Sequence, residues 1–294
     1  MENNQVQFRD SFKNRHFERN DSWLKIILIY LLLLVMCVVT VYPMLNILSV
    51  ALRPADNLFQ MNLQIVPDNY TLENFRRAIF EIDLLLWIRN SLIISILTAV
   101  IAVSFSATAG YAFSRYRFAG RKSGMMMFLV TQMFPGPMLL LPMYILLVKL
   151  GLVNQFLGLL VPYTATAVPF SVWMLKGYFD TIPKSLEESA YIDGASPLMT
   201  FYRIILPLAK PALAITFLFA FMSAWSEYIV AKVILTKPEV LTLPVGLVSM
   251  QGQFNTQWGV YSAAALITSI PVIILFISLS RYLVGGLTLG GVKG

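Results

Sequence analysis

Three carboxylates lie close together in the stretch from Ser185 to Pro207, SLEESAYIDGASPLMTFYRIILP, which separates two long apolar runs. They are Glu187, Glu188 and Asp193, and exposed carboxylates of this kind pair with basic groups on another surface. A fourth carboxylate, Glu227, lies inside an apolar run, where an ionisable side chain is costly and usually functional. These four residues are the first candidates for a functional role.

Catalytic and metal-binding patterns are missing from the sequence. The chain has one histidine, His16, and one cysteine, Cys37, so neither a His/Cys metal site nor a disulfide within the chain is expected. No G-x-x-x-x-G-K-[ST] loop occurs, and the segments FAGRKSG and GGVKG lack the spacing that surrounds phosphates with backbone N–H groups. We therefore expect a chain that is not an enzyme and that binds neither ATP nor a metal itself.

The composition is that of a membrane protein. Hydrophobic residues make up 57% of the 294 residues and charged residues 13%, whereas soluble domains have roughly 45–50% and about 25%. The formal charge of +7 comes from basic residues beside apolar segments, without the basic and aromatic pattern of a nucleic-acid groove. The sequence predicts a polar N-terminal segment over 1–22 and one membrane domain over 23–294, embedded in the lipid bilayer of the cell membrane.

Six apolar stretches are long enough to cross a bilayer, since a helical span needs about 20 residues. The third contains QMFPGPMLLLP, whose prolines predict a break in the helix. Such a break is tolerated only where protein or a water-filled cavity satisfies the backbone, so Gln132 and Pro135 are candidates for lining a pathway. The predicted spans are 23–50, 90–113, 125–148, 156–175, 211–235 and 261–283.

The distribution of Lys and Arg predicts the orientation. These residues are about twice as frequent on one side of the six predicted spans as on the other, and the basic side is the cytoplasmic one. Both termini and the loop at about 176–210 are therefore expected in the cytoplasm. The loops at about 51–89 and 236–258 are expected on the outer side, and the pattern after Thr71 predicts a short amphipathic helix in the first of them.

Glu227 raises the alternative of a self-sufficient ion-coupled carrier. If the fifth span begins near Pro211, Glu227 lies about 24 Å along the helix, close to the outer boundary. A single carboxylate there is a poor proton relay. The other interpretation is a Glu that hydrogen-bonds neighbouring backbone or side-chain groups.

The loop between the fourth and fifth spans has the start and stop signals of two short helices. Ser185 and Glu188 form an S-x-x-E capping box that predicts a helix start, and Gly194 predicts its end with a positive φ. Ser196 and Pro197 predict a second start, and Pro207 its end.

The second of these helices is apolar at most positions, which a solvated loop avoids unless a partner covers it. We therefore expect one face to pack on the chain itself and the other to bind a separate protein. The large apolar residues are Leu198, Met199, Phe201, Tyr202, Ile204 and Ile205.

The spacing in this loop resembles the EAA motif, E-A-A-x3-G-x9-I-x-L-P, of permease subunits of binding-protein-dependent ABC importers. Ser189 stands where Ala is typical, and Asp193 and Ala195 fit the common D-G-A variant. The segments LWIRNSL, GYAFSRYRFAG, QMFP, WMLKGYFDTIPKSLEE, AWSEY and GGLTLGGVKG are similar to the MalG-type permeases of maltose and maltodextrin importers.

This resemblance implies an all-α permease fold with six transmembrane helices and a cytoplasmic coupling helix. It implies three protein partners: a second, MalF-like permease; two copies of a MalK-like ATPase that hold ATP and Mg²⁺; and an extracytoplasmic carbohydrate-binding protein. Transport would proceed by ATP-driven alternating access, and Phe201, Tyr202 and Ile204 would anchor the second loop helix. The ATPase-coupling residues that it implies are Glu187, Glu188, Ser189, Ala190, Asp193, Gly194, Ala195, Phe201, Ile204, Leu206 and Pro207.

Two further sites follow from the same resemblance. In the outer loop, Gln251, Gly252, Gln253, Phe254 and Asn255 would reach toward the sugar in the binding protein; an ordinary polar connector is the alternative. At the C-terminus, an extended tail would contact the ATPase; a frayed end is the alternative. The tail residues are Gly290, Gly291, Val292, Lys293 and Gly294.

The substrate implied first is maltose or maltodextrin. An acidic, uronate-containing oligosaccharide is the second candidate, because similar loop and tail patterns occur in importers of both kinds.

Overall fold

The computed structural model describes residues 23–54, 67, 69–252 and 256–291, with side chains up to Tyr282. The polar segment 1–22 lies outside the described residues. Throughout the described part the regular elements are helices, which agrees with the all-α prediction. They are α1 Trp23–Ala51, α2 Glu73–Phe80, α3 Leu84–Arg115, α4 Arg121–Gln132, α5 Leu140–Lys149, α6 Phe156–Thr181, α7 Ser185–Ile192, α8 Pro197–Leu208, α9 Lys210–Trp225, α10 Ile229–Ile234, α11 Leu243–Ser249 and α12 Trp258–Gly291.

Four helices, α1, α3, α6 and α12, are each long and apolar enough to cross a membrane. Two further candidates are bent pairs: α4 with the segment Gly136–Lys149 at 94°, and α8 with α9 at 77°. Together these make up to six candidate spans. The short amphipathic helix predicted after Thr71 is α2.

The predicted break in the third span is present. Pro135 has an extended conformation, φ −61° and ψ 122°, and a 3-10 turn over Gly136–Leu139 leads into α5. The side-chain amide of Gln132, the last residue of α4, donates to the backbone carbonyl of Thr166 on α6 at 3.2 Å. The bend is therefore held against α6 by a side-chain bond rather than left open.

The prediction of one continuous fifth span over 211–235 is wrong. Helix α9 ends at Trp225 and α10 starts at Ile229. Glu227 lies in the gap, where its Oε1 accepts from the backbone N–H of Val230 at 2.8 Å and its Oε2 from that of Ala231 at 3.1 Å. These donors are orphan groups of a new helix N-terminus, so Glu227 makes the interruption possible inside an apolar run.

The centre of the bundle is the pairing of α3 with α6. A Cβ added at Gly110 of α3 would lie 3.1 Å from the backbone N of Lys176 on α6, so glycine permits the close approach. A second close contact joins α3 to α11, because a Cβ at Gly246 would lie 2.1 Å from the Trp87 ring. The buried Asn90 of α3 also holds the segment before α11, donating to the carbonyls of Glu239 and Leu241 at 3.0 Å each.

We predict that Gly246→Ala destabilises the chain. The added methyl overlaps the Trp87 ring, which is 7% exposed and must shift, at a cost of about 1–3 kcal/mol. Gly177→Ala is the matched control, because nothing lies within 4 Å of its added Cβ in α6. Thermal unfolding in detergent should show a lower Tm for the first variant alone; equal Tm values would contradict the packing.

Candidate functional site

Helix α7 begins without the predicted capping box. The N-cap position is Lys184, and no side chain caps the helix. The backbone N–H groups of Glu187 and Glu188 instead bond to the carbonyl of Lys184, at 2.9 and 3.0 Å. The helical turn already starts at Pro183, whose carbonyl accepts from Leu186 at 3.3 Å. Ser185 is therefore inside the helix and cannot take the cap position.

Gly194 ends α7 in the predicted left-handed conformation, with φ +81°. Its N–H bonds to the carbonyl of Tyr191 at 3.1 Å, and the N–H of Ala195 reaches back to Ala190 at 2.9 Å. This pair of bonds is the Schellman motif. The small side chains at 190 and 195 fit beside it, and Ala190 is buried. The glycine and the two alanines of the loop motif thus form one turn.

Helix α8 starts as predicted but does not end at Pro207. Ser196 Oγ accepts from the Met199 N–H at 3.3 Å, and Pro197 takes the first helical position. The helix then widens into a π segment over Phe201–Ile205 and continues to Leu208. A proline ring crowds the carbonyl four residues earlier and offers no N–H, and the wider turn ahead of Pro207 accommodates both effects.

Glu187 is buried within the chain instead of being available to a partner, which corrects the expectation for this residue. Its Oε2 accepts from Tyr111 Oη at 2.6 Å, and its Oε1 accepts from Arg115 Nε. Arg115 Nη2 also donates to the carbonyl of Ile182 at 2.9 Å. The side chains of Glu187 and Arg115 are each 7% exposed. The end of α3 is thereby fixed to the start of the loop.

Sequence reasoning missed Tyr111 and Arg115 as part of this site. Arg115 contributed only to the charge count that predicted orientation. The signal was their separation of four residues, which places both side chains on one face of the last turns of α3. What the spacing does not show is which acidic residue they face.

Aromatic packing anchors α8. Phe201 is buried and its ring centroid lies 4.8 Å from that of Tyr111, which also meets Phe179 at 6.0 Å edge-to-face. Ile205, one turn on, is fully buried. Ile204 is half-buried and packs against the same cluster, as predicted. Tyr202 does not share the anchoring role, because it is 57% exposed.

The opposite face of the loop is open and apolar. Ile192 is 87% exposed and Leu198 is 67% exposed, on either side of the Gly194 turn. Glu188 and Asp193 are exposed beside them. We call this face the α7–α8 surface; it comprises Leu186, Glu188, Ser189, Tyr191, Ile192, Asp193, Leu198, Met199 and Tyr202.

The pathway candidates meet α6 at neighbouring positions. Tyr163 Oη donates to Glu227 at 2.6 Å, and the Thr166 carbonyl accepts from Gln132. Pro135 is exposed in the break itself. Glu227 therefore has the hydrogen-bonded, structural environment that one of the two interpretations predicted.

The two further predicted sites lie partly outside the described residues. Gln251 donates to Tyr261 Oη at 3.0 Å, and Gly252 bonds twice to Thr256, at 3.0 Å through its N–H and 2.9 Å through its carbonyl, which closes the base of the loop. Gln253, Phe254 and Asn255 are not among the described residues, and neither are Val292, Lys293 and Gly294. Gly290 and Gly291 belong to α12, so the extended conformation predicted from Gly290 is wrong at these two positions. In a helix their N–H groups bond to carbonyls four residues earlier.

Residues 99–288 match the family model described as the binding-protein-dependent transport system inner membrane component. The chain belongs to this family. The maltodextrin permease MdxG of Bacillus subtilis is 39% identical, over 90% of this chain and 95% of its own length. The maltose/maltodextrin permease MalG of Salmonella typhimurium is 35% identical, over 92% and 97%. The predicted resemblance to MalG-type permeases is thus confirmed.

A solved structure of a bacterial ABC transporter, involved in the import of the acidic polysaccharide alginate, is also similar. One of its chains matches with a TM-score of 0.77 at 25% identity, covering 87% of this chain and 95% of that chain. The ABC importer permease fold expected from the sequence is confirmed.

We predict that Ser196→Ala loosens the start of α8 and that Ser185→Ala does not affect α7. Only Ser196 accepts a backbone N–H as a cap, and loss of such a cap costs about 1 kcal/mol, or about fivefold in local opening. Hydrogen exchange at the Met199 amide should accelerate by that factor in Ser196→Ala. Faster exchange at the start of α7 in Ser185→Ala would contradict the assignment of the caps.

Proposed function

We propose that this chain is a membrane-spanning, non-catalytic permease subunit of a carbohydrate importer powered by a separate ATPase. The observation that carries the proposal is the α7–α8 surface: a rigid turn, anchored by Glu187 and Phe201, presents exposed apolar residues at one end of the bundle. An exposed apolar face on an ordered element is typical of a protein contact.

The partners of the complex follow from the family. A second, MalF-like permease completes the pathway, two MalK-like ATPase subunits hold ATP and Mg²⁺, and an extracytoplasmic protein delivers the sugar. Both termini and the α7–α8 surface face the cytoplasm, in line with the Lys and Arg distribution. The complex works by alternating access, in which closure of the ATPase pair moves α7 and α8 and opens the pathway outward.

The ion-coupled carrier is the weaker candidate. Both carboxylate oxygens of Glu227 are occupied, by Val230 and by Ala231 with Tyr163. A carboxylate that accepts from the first N–H groups of a helix and from a phenol hydroxyl is held in place by structural hydrogen bonds. Family membership points in the same direction.

Maltose or maltodextrin is the proposed substrate, because MdxG and MalG carry those names. An acidic oligosaccharide is the second candidate, because the transporter of the similar solved structure is involved in the import of the acidic polysaccharide alginate.

We predict that Gly194→Val weakens ATPase binding and sugar uptake. A β-branched residue at φ +81° is strained by about 1–3 kcal/mol, which distorts the α7–α8 surface. Gly120→Val is the matched control, because Gly120 has φ +85° and also has open space around it, but lies in the loop between α3 and α4. Co-purification with the ATPase and uptake into cells should fall in the first variant only. Equal behaviour of the two would contradict the docking role.

We predict that the reconstituted complex takes up maltotriose and that an excess of oligouronate does not compete. Uptake should require ATP and the binding protein. The purified chain alone, in liposomes with an ion gradient, should move neither sugar. Uptake by the chain alone would support the ion-coupled carrier, and competition by oligouronate would favour the acidic substrate.

A further inference from the structure

The ion pair between Glu187 and Arg115 is buried in a part of the chain that lies directly behind the α7–α8 surface. Both side chains are 7% exposed, and each makes additional hydrogen bonds, Glu187 to Tyr111 and Arg115 to the carbonyl of Ile182. Removing one partner of a buried pair leaves an uncompensated charge and is strongly destabilising for the contact. The pair therefore fixes the distance between α7 and the end of α3.

Arg115 holds the loop at two points. It binds Glu187 on α7 and the carbonyl of Ile182 in the connection between α6 and α7. Ile182 is itself buried. With both points bound to one guanidinium, α7 and its connection cannot move apart from α3 without breaking charged hydrogen bonds.

The contacts continue from Arg115 into α6. Arg115 Nη1 donates to Ser114 Oγ at 3.2 Å, and Ser114 Oγ donates to Asp180 at 2.6 Å. Lys176 donates to the other oxygen of Asp180 at 2.6 Å. We call this set, Glu187, Arg115, Ser114, Asp180 and Lys176, the Glu187 network. It connects the loop to both helices of the most closely packed pair in the bundle.

We infer that Glu187 and Arg115 are positioning residues that transmit displacement of α7 to α3 and α6. The inference rests on the proposed function, since it supposes that an ATPase moves α7. A displacement of α7 then reaches α3 through the side-chain contacts of the Glu187 network, as well as reaching α6 and α9 along the covalent chain. Glu188, although adjacent, is exposed and belongs to the docking surface instead.

The test compares Glu187→Gln and Arg115→Gln in the whole reconstituted complex, measuring sugar uptake and ATP hydrolysis in the same vesicles. Phe201 and Ile205 still anchor α8 in each variant and the exposed residues of the α7–α8 surface are unchanged, so the ATPase is expected to bind and hydrolyse ATP. The ratio of uptake to hydrolysis is expected to fall by about tenfold, within the range of about 5- to 150-fold for coupling between sites. Arg115→Lys, which keeps the charge, should recover part of the ratio.

Two controls separate transmission from folding. Arg117→Gln removes an exposed arginine near the same helix end and should leave the ratio unchanged. The double variant, Glu187→Gln with Arg115→Gln, should be no worse than the worse single one, because the pair is lost only once. If Glu187→Gln does not assemble, the ratio in Arg115→Gln decides.

The inference is overturned if the single variants assemble and retain the wild-type ratio, or if uptake and hydrolysis fall together in proportion to the amount of complex. Failure of the proposed function looks different: the wild-type chain would then bind no ATPase, and no ratio could be measured. A lowered ratio with hydrolysis retained supports the inference.

Discussion

Backbone N–H and C=O groups must be satisfied inside the chain wherever it lies in lipid, and this constraint governs the structure. Continuous helices meet it automatically. The described chain nevertheless interrupts its helices at 133–139, at 226–228 and at Ala209. At the second interruption Glu227 accepts from the N–H groups of Val230 and Ala231 at the start of α10. At the first, the Gln132 side chain attaches the end of α4 to the Thr166 carbonyl on α6. Polar side chains in these apolar runs therefore stabilise the breaks, Glu227 by accepting from freed N–H groups and Gln132 by binding the neighbouring helix.

The loop between α6 and α9 also bonds key backbone groups within the chain, and these bonds make it rigid. At the Gly194 corner, the N–H groups of residues 194 and 195 donate to carbonyls of α7, and Ser196 Oγ accepts from the Met199 N–H of α8. Glu187 and Phe201 then attach the two helices to α3. An element with a hydrogen-bonded corner and two anchors moves as a body, which a lever between subunits requires.

Much of this arrangement could be predicted from local pattern. The prolines of QMFPGPMLLLP interrupt a helix regardless of the surrounding fold. Gly194 and Ser196 end and start helices through bonds to backbone groups a few residues away. The EAA spacing then predicted the family that the comparison confirms.

Features that depend on distant contacts could not be predicted in this way. Glu227 bonds the start of a new helix, α10, in a run whose hydropathy suggests one continuous helix, and only its three hydrogen bonds show this role. Ser185 had the right spacing for a cap, but the turn from Pro183 starts the helix earlier. Glu187 resembled its exposed neighbour Glu188 in sequence, and its burial is decided by Tyr111 and Arg115, more than 70 residues away.

The central claim is that the α7–α8 surface contacts an ATPase, and site-specific photocrosslinking tests it most directly. A photoreactive residue at Ile192 or Leu198, both exposed, would be compared with one at the buried Ile205. Activation in intact cells, followed by mass spectrometry of the product, should identify a nucleotide-binding subunit at the two exposed positions and only this chain at Ile205. Crosslinks from Ile192 and Leu198 to lipid or to this chain alone would contradict the account.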